Sequence, residues 1–192
     1  MVRALAHAKK VRAIYQDRPM GKGNAVKTGF RAAKGDIFLI QDADLEYKVS
    51  EYPKLIAPIL TGRANFVLGS RHLGHGSWKI RRFTKNRLKS AFFNAAVLGC
   101  HTLFNILHGT RLSDPTTMFK VFRRECIEGV VFRSNHFQMD WEIVAKILRR
   151  GHPPVEVPVS YVSRSVAEGK KVRFWRDGPL SLYAIVRFRF FD

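Results

Sequence analysis

The hydrophobic positions in the first part of this chain form short apolar runs separated by stretches with helical spacing. Runs at residues 11–15, 37–41 and 65–69 predict strands, whereas residues 1–10 and the segments between the runs predict helices. The order strand, glycine-containing turn, helix and strand over residues 11–41 predicts a βαβ unit. Such a unit implies a parallel sheet with a ligand site at the carboxyl ends of its strands.

The rest of the chain continues with helices and strands, and its length suits a single domain over residues 1–192. Pro158 lies inside the last predicted strand, which indicates a position at the edge of the sheet. The predicted elements are a long apolar helix to residue 108, a turn and strand at 112–122, a helix at 124–132, a helix ending at 151, a strand at 155–162 and a closing helix at 180–191.

The strand predicted at residues 37–41 is followed by a cluster of carboxylates. Asp42, Asp44 and Glu46 alternate with apolar residues, so an extended backbone would place all three on one side. Three like charges on one face need a cation or a set of donors among them. Their hard oxygen atoms suit Mg²⁺ or Mn²⁺. The alternative is a solvated acidic loop in which one Asp caps the next helix.

Two further motifs are predicted at the same edge of the sheet. Gly21-Lys22-Gly23 opens a predicted helix, where backbone N–H groups and an ammonium can hold a phosphate, although a simple turn also explains it. Arg71 follows the strand at 65–69, and its guanidinium suits a phosphate. A structural ion pair between Arg71 and the acidic cluster is the alternative.

The charge of the chain favours anionic partners. It has 34 Lys and Arg against 15 Asp and Glu, a formal net charge of +19, and such a surface attracts nucleic acid, anionic lipid or phosphorylated substrates. The basic run at 79–89 is interleaved with aromatic and aliphatic residues, which suits a lipid headgroup layer, whereas a solvated face is the simpler alternative. Polar residues interrupt the apolar stretch at 91–107, so we do not predict that it spans a membrane.

Seven motifs in order carry a resemblance to a known family. They are Gly21-Lys22-Gly23, Asp42-Ala43-Asp44-Leu45-Glu46, Gly69-Ser70-Arg71, residues 112–117, Asp140-Trp141-Glu142 after Phe137, Glu156-Val157-Pro158 and residues 164–171. From about residue 11 onward the chain resembles the family 2 glycosyltransferases, and within them the polyprenyl-phosphate sugar synthases (dolichyl-phosphate mannose synthase-like). The resemblance implies an α/β GT-A fold, with a mixed, mostly parallel sheet flanked by helices. It also implies metal-dependent, inverting sugar transfer from a nucleotide-diphosphate sugar.

The resemblance also implies roles for individual residues. By position, Asp42 and Asp44 with Glu46 would lie at the metal, and Lys22 would lie at the diphosphate. The catalytic candidates are Asp44, Arg71, Asp140 and Glu142. Arg71 with one of Arg81, Arg82 or Arg87 would hold the acceptor phosphate, and Glu168 with Lys170 and Lys171 would belong to a loop over the site. The acidic pair at 140 and 142 acts as a base in some relatives. A polyprenyl phosphate is already an anion and needs no base, and compensation of the helix dipole explains the pair without a function.

One departure from the family concerns the start of the chain. Family members begin with a strand, a helix and a strand that bind the nucleotide base, and this chain starts after them, so we expect an N-terminally truncated domain without the first βαβ portion. Expected partners are a nucleotide-diphosphate sugar, an anionic lipid-phosphate acceptor at the cytoplasmic face of a membrane, and a membrane protein or a second copy. The alternatives are an inactive remnant or interaction domain and a basic nucleic-acid-binding domain, for which the sequence has no recognition motif.

Overall fold

The computed structural model describes residues 12–44, 46–75, 87–163 and 174–192. The helix predicted at residues 1–10 lies outside the described residues. So do Arg81 and Arg82, most of the basic run, and the loop with Glu168, Lys170 and Lys171.

The described residues form a layered α/β arrangement with a sheet between helices. The strands are β1 (Ile37–Ile40), β2 (Phe66–Ser70), β3 (Lys120–Arg123) and β4 (Val155–Pro158). The helices are α1 (Lys22–Ala32), α2 (Tyr52–Leu60), α3 (Arg71–His75), α4 (Arg87–His108), α5 (Met139–Arg149) and α6 (Phe174–Phe190). Short 3-10 helices cover Val49–Glu51 and Arg124–Ile127.

The four strands form one mixed sheet in the order β1-β3-β2-β4. β3 is antiparallel to both of its neighbours, and β2 pairs with β4 in parallel. Three strands therefore run in one direction and β3 runs against them, which confirms the predicted mixed sheet. The end position of β4 confirms that the strand with Pro158 is an edge strand.

The predicted βαβ unit at residues 11–41 is wrong for the residues that the structure describes. Residues 12–15 form no strand, and Ile14 and Tyr15 are 47% and 61% exposed, so no sheet face buries them. β1 pairs with β3 instead, through contacts such as Phe38 opposite Phe122. The helix predicted at 124–132 is also shorter than expected, because the chain leaves its 3-10 turn at Gly129, which has a φ of +71°.

Apolar side chains cover both faces of the sheet. Phe66 and Phe122 pack on the face covered by α4, α5 and α6, and Val67 and Val121 pack on the face covered by α2. Neighbouring residues of one strand point to opposite faces. Each fully buried side chain of this size contributes about 1.5–3 kcal/mol, so the sheet is a stable platform for the residues at its ends.

α4 is long and apolar, and much of its surface is uncovered. Among the described residues, its stretch Ser90–His108 is sufficiently long and apolar to cross a membrane, with 17% of that stretch buried. Exposed apolar side chains on it include Leu88, Phe92 and Ile106. The two cysteines are free: Cys126 is buried and Cys100 is partly buried.

Candidate active site

Four charged side chains meet beside the carboxyl end of β1, and we call them the crevice cluster: Lys22, Asp42, Lys120 and Asp140. The Lys22 ammonium lies 3.2 Å from an Asp42 oxygen and 3.6 Å from an Asp140 oxygen. The Lys120 ammonium lies 3.7 Å from the other Asp140 oxygen. The structure thus brings the Gly-Lys-Gly motif and the first acidic residue into one crevice, as the sequence predicts.

Lys22 is held at the crevice by close packing between the start of α1 and the loop before α5. A Cβ atom at Gly21 would collide with Asn135 and His136, and one at Gly23 would collide with the Ser134 carbonyl. Gly21 also has a φ of +92°, which favours glycine. The glycines are therefore required by contact with the loop before α5.

Asp42 lies where a further cation would be favourable. Burial raises the pKa of its carboxyl, Lys22 opposes that rise, and the neighbouring charge of Asp140 adds to it. The Asp42 side chain keeps 31% of its surface exposed. An ionised carboxylate that is costly to bury yet reachable from solvent favours the approach of a positive ligand.

The expectation that three carboxylates share one face is wrong. The chain turns at residues 43–44 instead of continuing as a strand, and Asp44 accepts a hydrogen bond from the Glu46 backbone N–H at 3.2 Å. Local bonding of this kind competes with an extended backbone. Glu46 accepts a hydrogen bond from the Tyr161 hydroxyl at 3.0 Å. The carboxylate oxygens still fit a hard divalent cation by chemistry.

Lys120 is the member of the crevice cluster that the sequence reasoning missed. It is fully buried, and burial lowers the pKa of its ammonium to about 8, while the charge of Asp140 partly offsets that effect. It is the first residue of β3 and lies two positions before the core residue Phe122. The period of two would have predicted a lysine directed into the protein.

Asp140 and Glu142, predicted as one acidic pair, point to different places. Asp140 belongs to the crevice cluster. Glu142 is fully buried and accepts hydrogen bonds from the backbone N–H groups of Arg133 and Ser134 at 2.7 and 2.8 Å. Lys146 pairs with it at 2.9 Å. Glu142 therefore anchors the loop that packs on Gly21 and Gly23.

Arg71 forms a closed ion pair away from the crevice cluster. Its guanidinium donates to both oxygens of Asp114 at 2.6 Å, and its backbone N–H donates to Asp114 at 3.0 Å. Burial acts to lower the pKa of Arg71, but the charge of Asp114 raises it well above the ordinary value. An ion pair was one of the two predicted alternatives. Its partner is Asp114, and the expectation of a partner in the 42–46 cluster is wrong.

The bonds around this pair connect three segments of the chain, and we call the set the Arg71 network: Ser70, Arg71, Ser113, Asp114, Thr116 and Glu156. Glu156 accepts from Ser113 N–H, Ser113 hydroxyl and Asp114 N–H at 2.7–2.9 Å. The hydroxyls of Ser70 and Ser113 are 2.6 Å apart. The sequence suggested only a turn former at Asp114, because an Asp before Pro is common in turns.

Two histidines lie beside the Arg71 network. His72, His101 and Asp114 offer ligand atoms within 4.8 Å of one another, and they are the one such group of three among the described residues. His101 Nε2 lies 3.0 Å from the Thr116 hydroxyl. The Asp114 charge is already compensated by Arg71, so we assign these residues to the scaffold of the site.

Arg87, another predicted site residue, is exposed at the first residue of α4.

The profile of the family "Glycosyl transferase family 2" matches residues 1–131. The chain belongs to glycosyltransferase family 2. This confirms the resemblance drawn from the motifs. The matched part contains Lys22, Asp42, Arg71, Asp114 and Lys120.

Curated relatives point to the same family. A dolichol-phosphate mannosyltransferase of Pyrococcus furiosus is 31% identical over 160 residues, and a dolichyl-phosphate beta-glucosyltransferase of Trichomonas vaginalis is 29% identical over 159 residues. These matches cover 83% and 79% of this chain. The chain spans 43% and 45% of the length of these two relatives.

Solved structures show the same fold at low identity. A glucosyl-3-phosphoglycerate synthase of Mycobacterium tuberculosis matches with a TM-score of 0.67 at 16% identity, covering 99% of this chain and 65% of that one. The same enzyme with Mn²⁺, UDP-glucose and phosphoglyceric acid matches with a TM-score of 0.64 at 18% identity, covering 95% and 62%. The likeness confirms the predicted GT-A fold.

Proposed function

We propose that this chain carries the sugar-transfer site of a family 2 glycosyltransferase, which moves a sugar with inversion from a nucleotide-diphosphate sugar to a lipid-linked phosphate. The observation that carries the proposal is the crevice cluster. It places an ammonium, a partly exposed carboxylate and a second carboxylate together at the carboxyl end of β1. Ligands of α/β sheets bind at such strand ends.

The donor end of the site is assigned to Lys22 and Asp42. Departure of the nucleotide diphosphate builds negative charge that needs fixed positive charge beside it. Lys22 supplies an ammonium whose side chain is 19% exposed. Asp42 would supply a carboxylate oxygen to a Mg²⁺ or Mn²⁺ ion, which when bound neutralises charge on the diphosphate, whereas Asp44 and Glu46 accept hydrogen bonds within the fold.

The acceptor end follows from the chemistry of a phosphate. An ionised phosphate oxygen attacks the sugar without giving up a proton, so the site needs orientation rather than a general base. Asp140 then serves as a hydrogen-bond acceptor for hydroxyls of the donor sugar. The relatives named for dolichol phosphate and dolichyl phosphate support a lipid phosphate as the acceptor class.

A membrane surface is the proposed location of the acceptor. α4 and α6 pack against each other, and both expose apolar side chains: Leu88, Phe92 and Ile106 on α4, and Leu182, Tyr183 and Phe190 on α6. Arg87 and Arg187 lie on the same two helices. Apolar residues beside arginines suit a layer of anionic headgroups, and the net charge of +19 supports this.

The direct test is a transfer assay with a nucleotide-diphosphate sugar, a polyprenyl phosphate and Mn²⁺. Replacing Asp42 with Ala should lower transfer by roughly 100-fold or more, since a fixed charge at the reacting diphosphate is lost. Asp36→Ala is the matched control, because Asp36 is an exposed aspartate at the opposite end of β1. Equal activity of the Asp42 variant and the wild type would contradict the proposal. Donor binding without transfer would favour the inactive interaction domain.

A further inference from the structure

A buried lysine lies directly behind the candidate site. The Lys120 side chain has no exposed surface, and its ammonium donates to the Thr117 carbonyl and faces Asp140 at 3.7 Å. An ammonium without water is costly unless a carboxylate and hydrogen-bond acceptors compensate it. A Leu or Met at this position would avoid that cost, so the charge calls for a reason other than packing.

The two oxygens of Asp140 face different lysines. One oxygen lies 3.6 Å from Lys22, and the other lies 3.7 Å from Lys120. The Lys22 side chain is 19% exposed and the Lys120 side chain is fully buried. A ligand entering the crevice can draw Lys22 away from Asp140, but it cannot reach Lys120.

We propose that Lys120 is a positioning residue that holds the Asp140 carboxylate in place while Lys22 leaves it to contact the donor diphosphate. This rests on the proposed function. The spacing supports it, because both lysines are close to Asp140 yet neither makes a short, closed pair with it. Asp140 can thus exchange one partner and retain the other.

The other charges around Lys120 define its pH response. Asp140 and Asp114 raise the pKa of its ammonium, Lys22 and Arg71 lower it, and burial is the largest influence and lowers it to about 8. Above that pH the ammonium loses its proton and the hold on Asp140 weakens. The rate of sugar transfer should therefore decrease as the pH rises above about 8.

The first test needs no activity. The ammonium of Lys120 is titrated by ¹⁵N NMR in the wild type and in Asp140→Asn, with the assignment made from Lys120→Met. Coupling to the carboxylate predicts a lower pKa for Lys120 in Asp140→Asn than in the wild type. Equal pKa values in the two proteins would overturn the proposal, whether or not the chain transfers sugar.

The second test separates positioning from stability. Lys120→Met should lower kcat roughly 10- to 100-fold with a smaller change in KM for the donor, because a misplaced group slows the chemical step. Lys54→Met is the control, as Lys54 is paired with the buried Glu51 carboxylate and lies outside the crevice cluster and the loop before α5. This control variant should keep the wild-type kcat and the same decrease in transfer rate at alkaline pH. Equal kcat and pH profiles for Lys120→Met and the wild type would overturn the proposal.

An absence of sugar transfer in the wild type would contradict the proposed function. The NMR titration would then be the test of whether Lys120 is coupled to Asp140. The same titration decides if Lys120→Met does not fold, because the assignment can then be made from Lys120→Arg or by elimination with other lysine variants.

Discussion

The crevice cluster and the Arg71 network both place carboxylates beside cations, yet they are built differently. In the crevice cluster the charged atoms are 3.2–3.7 Å apart, and Asp42 keeps 31% of its side chain exposed. In the Arg71 network the guanidinium lies 2.6 Å from both Asp114 oxygens, and the Asp114 side chain has no exposed surface. The first arrangement is open and loose, and the second is closed.

This difference distinguishes a ligand-binding site, the crevice cluster, from a structural element, the Arg71 network. A closed bidentate pair has satisfied its donors and acceptors, so exchange with a ligand would leave a buried charge without a partner. A loose cluster with exposed members can exchange partners at lower cost. Tyr161 links the Arg71 network to the loop that follows Asp42, since its ring lies 5.3 Å from the Arg71 guanidinium and its hydroxyl donates to Glu46.

The largest expected effect comes from breaking the closed pair. Asp114→Ala leaves Arg71 buried without a counter-charge and should reduce the free energy of unfolding by about 3–5 kcal/mol. Urea unfolding followed by circular dichroism measures this. The double variant Arg71→Met with Asp114→Leu should recover part of the loss, because no charge is left buried. A loss below about 1 kcal/mol for Asp114→Ala would contradict a scaffold role.

A smaller effect on the free energy of unfolding is expected at alkaline pH, and it comes from Lys120 in the crevice cluster. The pKa of Lys120 is about 8 in the folded chain, against an ordinary 10.5. Between these values the unfolded state binds more protons, so the free energy of unfolding should rise with pH, by about 2 kcal/mol from pH 8 to about 9.5. The rise should vanish in Lys120→Met. Parallel curves for the two proteins would show that Lys120 does not titrate there.

The smallest expected effect on stability comes from His108, which lies outside both regions and acts at acid pH. Burial, with nearby Arg189 and Arg149, lowers the pKa of His108 from 6.5 to about 4. The unfolded state therefore binds more protons as the pH falls below 6.5, and stability should decrease by about 1–2 kcal/mol between pH 6.5 and 4, allowing for partial solvent screening. In His108→Phe, whose ring can keep the stacking on Phe104, that decrease should be absent. An equal decrease in both proteins would assign it to other groups.

The sequence predicts the crevice better than the scaffold. Lys22 and Asp42 could be placed together because each follows local signals: a glycine turn at a helix start and carboxylates after an apolar run. Asp114 could not, since its partner Arg71 is 43 residues away and an Asp-Pro step indicates a turn wherever it occurs. Long-range pairing is not encoded in local periodicity.

The same limit explains the remaining errors. β3 enters the sheet between β1 and β2 although it comes after both in the chain, and apolar runs do not specify such an insertion. The turn at residues 43–44 ends the alternation that would have aligned three carboxylates. The Asp44 side chain accepts a hydrogen bond from the Glu46 backbone N–H, and such local bonding overrides a strand pattern there.

Isothermal titration of a nucleotide diphosphate with Mn²⁺ into the wild type and Asp42→Asn tests the central claim most directly, with both proteins compared by urea unfolding. Burial raises the pKa of Asp42, so its charge is held at a cost, and the variant should be as stable as the wild type or slightly more so. We expect saturable, metal-dependent binding in the wild type and a loss of roughly tenfold or more in affinity in Asp42→Asn. Equal affinities in two equally stable proteins would contradict the assignment of the crevice as the ligand site.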